Sequence, residues 1–418
     1  MTKGFPVKIK KIASVVMAFV MVAGVLSGCG GKSAPEEVVL SVWCAGEDIP
    51  MITKMINAFE EKHKDEAVFS ITISAEGEDT CKDTILADPE AAADIFSFAA
   101  DQFNSLYNAG ALLQITEDAD KIIEENGSLS SGAVMSASRD GKLYAYPATA
   151  SNGYFLYYNK EYLTEDDVKS FDRILEVAAE NGKKVTMDFS SGWYIYSFFK
   201  GAGLEVTLDD AGKANICNWN TTSGNYTGVD VAQAMLDIAC NDGFLAGSDD
   251  ILKEGAKDGS VIAGISGTWL STDMKDAFGE SYAAAKLPEY TIKSDSVQMH
   301  SFAGYKFIGV NANTKNPKWP QLLAQWLTNE ENQLTRFRER GEGPSNVNAA
   351  SRDEVKASIA ISALSEQAVY GHLQNVADTF WTPTYVFGTT IAAKNMDNVD
   401  LQVLLDTMVN GIVSDPEG

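Results

Sequence analysis

Side chains able to do covalent or metal chemistry are few in this chain. Its 418 residues hold three histidines, His63, His300 and His372, and none stands in an HExxH pattern or beside another ligand type. Of its five cysteines no two form a CxxC pair, and no cysteine–histidine cluster offers zinc a tetrahedral shell. Gly264-Ile265-Ser266-Gly267-Thr268 approaches the sharp turn that presents a nucleophilic serine, but threonine stands where that turn needs glycine. Gly31-Lys32-Ser33 suggests a phosphate loop, yet Leu26 occupies the position of its first glycine. No catalytic residue, metal site or cofactor is therefore expected. What remains is carboxylates and aromatic rings, Trp43, Glu47 and Asp48 among them, suited to holding a ligand by stacking and hydrogen bonding.

Such groups need elements to place them. Residues 38–43 are a short β-rich run, and 51–62 carry apolar residues at helical spacing. A strand over 67–74, a helix, and a strand over 94–98 follow. This strand–helix alternation is the mark of an α/β layer with a mostly parallel sheet. Ligands bind such sheets at the carboxyl ends of the strands, which here are residues 43–48, 74–79 and 98–102. Further strands are expected over 142–147, 154–158, 184–187, 261–266 and 305–311. Helices are expected over 101–109, 164–181, 228–242, 319–340 and 401–413. No internal repeat interrupts the alternation.

The amino-terminal segment reads as a secretory signal. Lys3, Lys8, Lys10 and Lys11 precede an apolar run over 12–25, too short to cross a bilayer comfortably. The run ends at Leu26-Ser27-Gly28-Cys29, which matches the bacterial lipobox. A lipoprotein signal peptide over 1–28, lipidation at Cys29 and a tether over 29–35 are expected, with the protein held at the extracytoplasmic face of the cell membrane. Composition is ordinary globular, 45% hydrophobic and 22% charged. The formal charge of −25 disfavours nucleic acid and anionic lipid surfaces as partners. The length suits two lobes rather than one core. For Cys44, Cys81, Cys217 and Cys240, four free thiols and a Cys44–Cys81 bridge both stay open.

Seven stretches, in order, resemble extracellular solute-binding proteins of the maltose- and maltodextrin-binding type. They are Leu40-Ser41-Val42-Trp43 before an acidic pair; Ala93-Asp94-Ile95-Phe96 leading to Asp101; Asp140-Gly141-Lys142-Leu143-Tyr144-Ala145-Tyr146-Pro147 leading to Leu156-Tyr157-Tyr158-Asn159-Lys160; Gly264-Ile265-Ser266-Gly267-Thr268-Trp269; Phe302-Ala303-Gly304-Tyr305-Lys306; Gly309-Val310-Asn311; and Trp326-Leu327-Thr328-Asn329-Glu330-Glu331. The resemblance implies a two-lobed α/β fold of the type II periplasmic-binding-protein kind, each lobe discontinuous. The lobes are expected over 36–150 with 303–350, and 151–302 with 351–418, with crossings near 148–152, 302–304 and 341–348. It also implies a monomeric lipoprotein that captures an oligosaccharide, a malto-oligosaccharide first, for the permease subunits of an ABC importer.

A sugar ring offers apolar faces and a fringe of hydroxyls, so its site needs flat aromatic platforms and carboxylates or amides at the edge. By resemblance, Trp43 is the strand-end tryptophan and Glu47 the acidic ligand beside it, with Asp48 where a lysine often stands. Phe98 takes the place of a stacking tryptophan, Asp101 that of a hydroxyl acceptor, and Asn152 that of a further acceptor. Trp193, Trp269 and Trp381 correspond to the aromatic positions of the second lobe. Two rival readings are carried with this one. They are a receptor of the same fold for a cationic or peptide ligand, and a glycoside hydrolase using two carboxylates across the cleft.

Overall fold

The computed structural model describes residues 35–209 and 213–414. The expected signal at 1–28, the lipidation site Cys29 and all but the last residue of the tether lie outside the described residues. Strand β1 (Glu36–Cys44) buries Val38, Leu40, Val42 and Cys44, every second residue, as a strand with one face on a core must. The helix Ile49–His63 returns over it, burying a stripe of Met51, Ile52, Met55, Ile56 and Phe59. β2 (Ala67–Ala75) pairs with β1 in parallel, Glu36 opposite Ala67 and Cys44 opposite Ala75. β3 (Ile95–Ala99) lies parallel on the other side of β1. Because all three run the same way, the loops after Cys44, Ala75 and Ala99 open on one rim.

β4 (Tyr146–Asn159) links the two halves of the molecule. β5 (Lys184–Met187), β6 (Phe244–Ala246) and β7 (Val261–Gly267) build the second half with β8 (Tyr282–Ala285), and β9 (Ser301–Val310) returns to the first, with β10 (Gly371–Leu373) beside its start. The opening stretch of β4, through Gly153, pairs with β9, and the stretch from Tyr154 to Tyr158 pairs with β7. One sheet therefore runs through both halves in the order β6-β5-β7-β4-β9-β3-β1-β2. Two main cores form on it. One draws its buried residues from 38–148 and 307–327, the other from 154–302 and 380–412. Trp219, fully buried in the second, stacks on Phe199 at 4.2 Å between ring centres.

The structure redraws several expected bounds. Of the strand expected over 142–147 only Tyr146 and Pro147 join that expected over 154–158 in the single strand β4, since the backbone between them finds partners on β9 and at Gly343, whose carbonyl accepts from Ala150 at 2.9 Å; Lys142 and Leu143 pair instead with Ser138 and Arg139. The helix expected over 319–340 is two, Lys318–Leu327 and Glu330–Arg340, because the Asn329 side chain caps the second. The helix expected over 164–181 starts only at Phe171, where Ser170 accepts from the Arg173 amide. That expected over 101–109 shrinks to a 3-10 turn and Phe103–Asn108. Among the four cysteines after the tether no bridge forms: Cys44 and Cys81 are buried free thiols.

Gln333, 1% exposed, pins the return of the chain after the helix Glu330–Arg340. Its amide donates to the carbonyls of Pro147 and Thr328 at 3.1 and 2.7 Å, while its oxygen accepts from the Ser345 and Asn346 amides at 2.8 and 2.9 Å. Replacing it with leucine strands several buried backbone groups. Gln333→Leu is expected to lower unfolding free energy by about 2–4 kcal/mol, measured by urea denaturation.

Candidate functional site

A cleft of about 720 Å³ lies where the ends of β1, β2 and β3 face the second half of the molecule across β4 and β9. On the first wall stand Glu47, in the 3-10 turn after β1, Glu78 and Asp79 after β2, and Asp101 in the turn after β3. Gln102 stitches these loops together. Its buried amide donates to the Glu78 carbonyl at 2.9 Å and accepts from the Lys82 amide at 3.0 Å. The opposite wall presents three tryptophans. Trp193 opens the helix Gly192–Gly201, Trp269 sits in the 3-10 turn after β7, and Trp381 opens the helix Trp381–Ala392. Asn152 on β4 and Lys306 on β9 complete the lining at the crossing.

Of the nine residues expected to hold a ligand, six line this cleft: Glu47, Asp101, Asn152, Trp193, Trp269 and Trp381. Three do not, each for a plain reason. Phe98 is fully buried in the first core, its ring 5.8 Å from that of Phe96 and 5.7 Å from that of Phe307, so it has no face to offer. Trp43 is one residue short of the strand end and half-buried against the first core. Asp48 is 3% exposed, its carboxylate held by Arg340 at 2.9 Å and in contact with Arg336, so it serves as a buried counter-ion. For Phe98 and Asp48, both buried, the reading as ligand-binding residues is corrected accordingly, while Trp43 stands beside the cleft and outside its lining.

The cleft also contains groups that sequence reasoning missed. Lys306 lay inside a quoted motif, and Glu78 within the strand-end range, so a signal for both existed. Asp249, Gln374, Lys82 and Asp378 come into place only through folding. Lys306 meets Glu78 at 2.6 Å and contacts Glu342, which also accepts from Arg336 at 3.1 Å. Burial by itself would pull the lysine's pKa down, but Glu342, Glu78 and Asp48 outweigh it and hold the ammonium above its usual range. Burial would likewise push Glu342 up, yet Lys306 and Arg336 bring it down to about 2. Lys82 and Asp378 form an ion pair at 2.7 Å across the cleft, from the helix Cys81–Ala87 to the turn before Trp381. Such an arrangement presents flat apolar faces opposite a fringe of acceptors, which is chemistry for gripping a hydroxyl-rich ligand.

Residues 54–363 match the family described as bacterial extracellular solute-binding protein. A galactooligosaccharide-binding protein of Bacillus subtilis (strain 168) is 27% identical, the match covering 93% of this chain and 94% of that relative. Among solved structures, the maltodextrin-binding protein MalE1 from L. casei BL23 without ligand superposes with a TM-score of 0.73 at 25% identity, covering 90% of this chain and 99% of that one. Another, described as being with acarbose, has a TM-score of 0.73 at 29% identity and covers 88% of this chain and 98% of its own.

Burial raises the Asp101 carboxyl from 3.8 to about 6. A folded-state pKa above the unfolded one means that the native state keeps its proton longer, so stability from this group is present below the unfolded value and lost as pH rises through the folded one. Asp101→Asn should therefore raise the melting temperature at neutral pH, with the gain vanishing at about pH 4. Thermal unfolding of both proteins across that range checks it, and a gain of equal size at both ends contradicts it.

Proposed function

This chain belongs to the bacterial extracellular solute-binding proteins, and we propose that it captures an oligosaccharide, a malto-oligosaccharide first, in the cleft between its lobes. We read the lobes as 36–150 with 303–350 and 151–302 with 351–418. In this reading Cys29 carries the lipid anchor, the protein works as a monomer at the extracytoplasmic face of the membrane, and the closed form delivers its cargo to ABC permease subunits. The observation that carries it is the facing of Trp193, Trp269 and Trp381 by Glu47 and Asp101, with Asn152 between them. Stacking contributes on one wall and hydroxyl capture on the other, so a bound sugar chain gains most when the walls approach. Only that difference between open and closed contacts can drive closure. The galactooligosaccharide-binding relative and the maltodextrin-binding neighbour support a neutral glycan.

Capture without turnover fits the site. Of the two carboxylates on the tryptophan wall, Asp249 already accepts from Ser266 at 2.7 Å and from the Trp269 indole at 2.7 Å, and Asp378 is paired with Lys82 at 2.7 Å, so neither is free to act as an acid or base on a glycosidic bond. Titration calorimetry against maltotriose, galacto-, xylo- and manno-oligosaccharides is expected to show one class binding. Trp381→Ala should weaken that class by about 1–2 kcal/mol, roughly five- to thirtyfold. Binding of spermidine or a peptide with no response to any glycan overturns the assignment, and product analysis after long incubation should find the oligosaccharide intact.

A second reading draws on the charge of the lining. Seven carboxylates, Glu47, Glu78, Asp79, Asp83, Asp101, Asp249 and Asp378, face two ammonium groups, Lys82 and Lys306. That excess favours a glycan carrying a basic nitrogen, as acarbose does, over a neutral one. If charge contributes, acarbose should bind more tightly than maltotetraose at low salt, with the gap closing as salt screens it. Equal affinities at every ionic strength leave the neutral glycan alone.

A further inference from the structure

Trp269 is held in place by more contacts than a surface ring needs. Its indole lies so close over Gly267 that a Cβ there would fall 2.1 Å from a ring carbon, although the backbone of Gly267 is extended and any residue could adopt it. Gly267 is itself anchored, its carbonyl accepting from the buried Tyr157 hydroxyl at 2.8 Å. Thr268, next in the chain, donates to the Ser151 carbonyl at 3.1 Å. The Lys306 ammonium stands 5.8 Å from the ring centre. The indole N–H is aimed at Asp249, which accepts it at 2.7 Å.

Asp249 is the first residue of the helix Asp249–Asp258 and has no cationic partner among the described residues. Its carboxylate is met by neutral donors alone: the Ser266 hydroxyl at 2.7 Å, the Trp269 indole at 2.7 Å and the Tyr194 hydroxyl at 3.4 Å. Burial raises its pKa, against the pull of those bonds and with Asp188 adding to the rise. A carboxylate half taken out of water and given no counter-charge is an expensive way to fill space. What it supplies is a charged acceptor that fixes an indole N–H in direction, a stronger bond than a neutral acceptor makes. Glycine beneath the ring and a carboxylate at its edge then leave the indole one orientation.

We infer that Asp249 is a positioning residue for the cleft: acting with Gly267, it locks the Trp269 indole into a preorganised platform and so sets affinity through that ring. The inference rests on the proposed reading of Trp269 as a sugar platform. A ring held in its bound orientation before the ligand arrives loses no freedom on binding. Asparagine at 249 keeps the size but offers one neutral acceptor oxygen where the carboxylate offers two charged ones to the Ser266 hydroxyl and the Trp269 indole, so Asp249→Asn weakens the clamp.

The mature chain labelled with 15N at its indoles tests this in the absence of any sugar. The Trp269 N–H resonance, identified by its loss in Trp269→Phe, is expected downfield, and to move upfield in Asp249→Asn and in Gly267→Ala while the other tryptophan resonances stay. Should Asp249→Asn fold poorly, Gly267→Ala reads the same platform independently. With maltotriose as probe, Asp249→Asn should weaken binding about tenfold in the native background and not at all in Trp269→Phe. An unmoved indole resonance, or an equal loss of affinity in the Trp269→Phe background, overturns the inference. If maltotriose binds neither protein the malto-oligosaccharide choice fails, and the resonance still decides the role of Asp249.

Discussion

Two cations stand where the two halves of the molecule join, Arg336 buried and Lys306 mostly covered at the cleft floor, and a charge taken out of water has to be met by opposite charge at close range. Three carboxylates meet them. Asp48 and Glu342 flank Arg336, and Glu342 and Glu78 flank Lys306, so the charges alternate along a chain of contacts. Removing either partner of a buried pair leaves an ion whose hydration is lost and not replaced, a penalty of several kcal/mol. The cluster is therefore a constraint of position. It ties the helix Glu330–Arg340, the crossing strand β9 and the loops after β1 and β2 into one rigid assembly. One wall of the cleft is held to the crossing segments by charge.

The other wall is held by packing. Trp193 stacks on Phe302 at 5.3 Å and Trp381 meets Phe380 edge-on at 4.9 Å, both partners belonging to the second core. Each ring thus has one side bedded in apolar surface and lies along the cleft with what remains. Between the walls the sheet is continuous through β4 and β9, which pair with each other on one side of the crossing and with different neighbours beyond it. Motion between the halves has to be absorbed at these few strand residues, as hinge motions generally are. The Lys82–Asp378 pair spans the opening, with Asp378 largely exposed, so it contributes little in salt and opposes opening weakly.

The residues that misled sequence reasoning share a cause. Phe98 is the next-to-last residue of β3 and points into the core, while Asp101, three residues on, reaches the cleft. Both faces of β3 are covered from Ile95 to Phe98, and only past Ala99 does the chain reach the cleft, so a shift of a few positions along the strand end decides whether a ring is core or platform. Asp48 and Glu47 are neighbours in the chain, yet one is a buried counter-ion and the other lines the cleft. Nothing in the acidic pair distinguishes them, because the deciding groups, Arg336 and Arg340, are almost three hundred residues away. Asp249 and Gln374 gave no sign at all. Their neighbours in sequence carry no pattern, and their partners in the cleft come from other elements.

The strand–helix alternation, the ordered motifs and the aromatic and acidic residues at strand ends were legible in the chain alone, because periodicity and local composition are properties of short segments. Those segments were enough for the α/β class, the family, and six of the nine residues expected at the cleft. Which carboxylates are spent on buried cations, which rings are core, and how Trp269 is held were decided only in three dimensions. Burial and counter-charge depend on groups that meet across hundreds of residues, and those distances do not exist until the chain has folded.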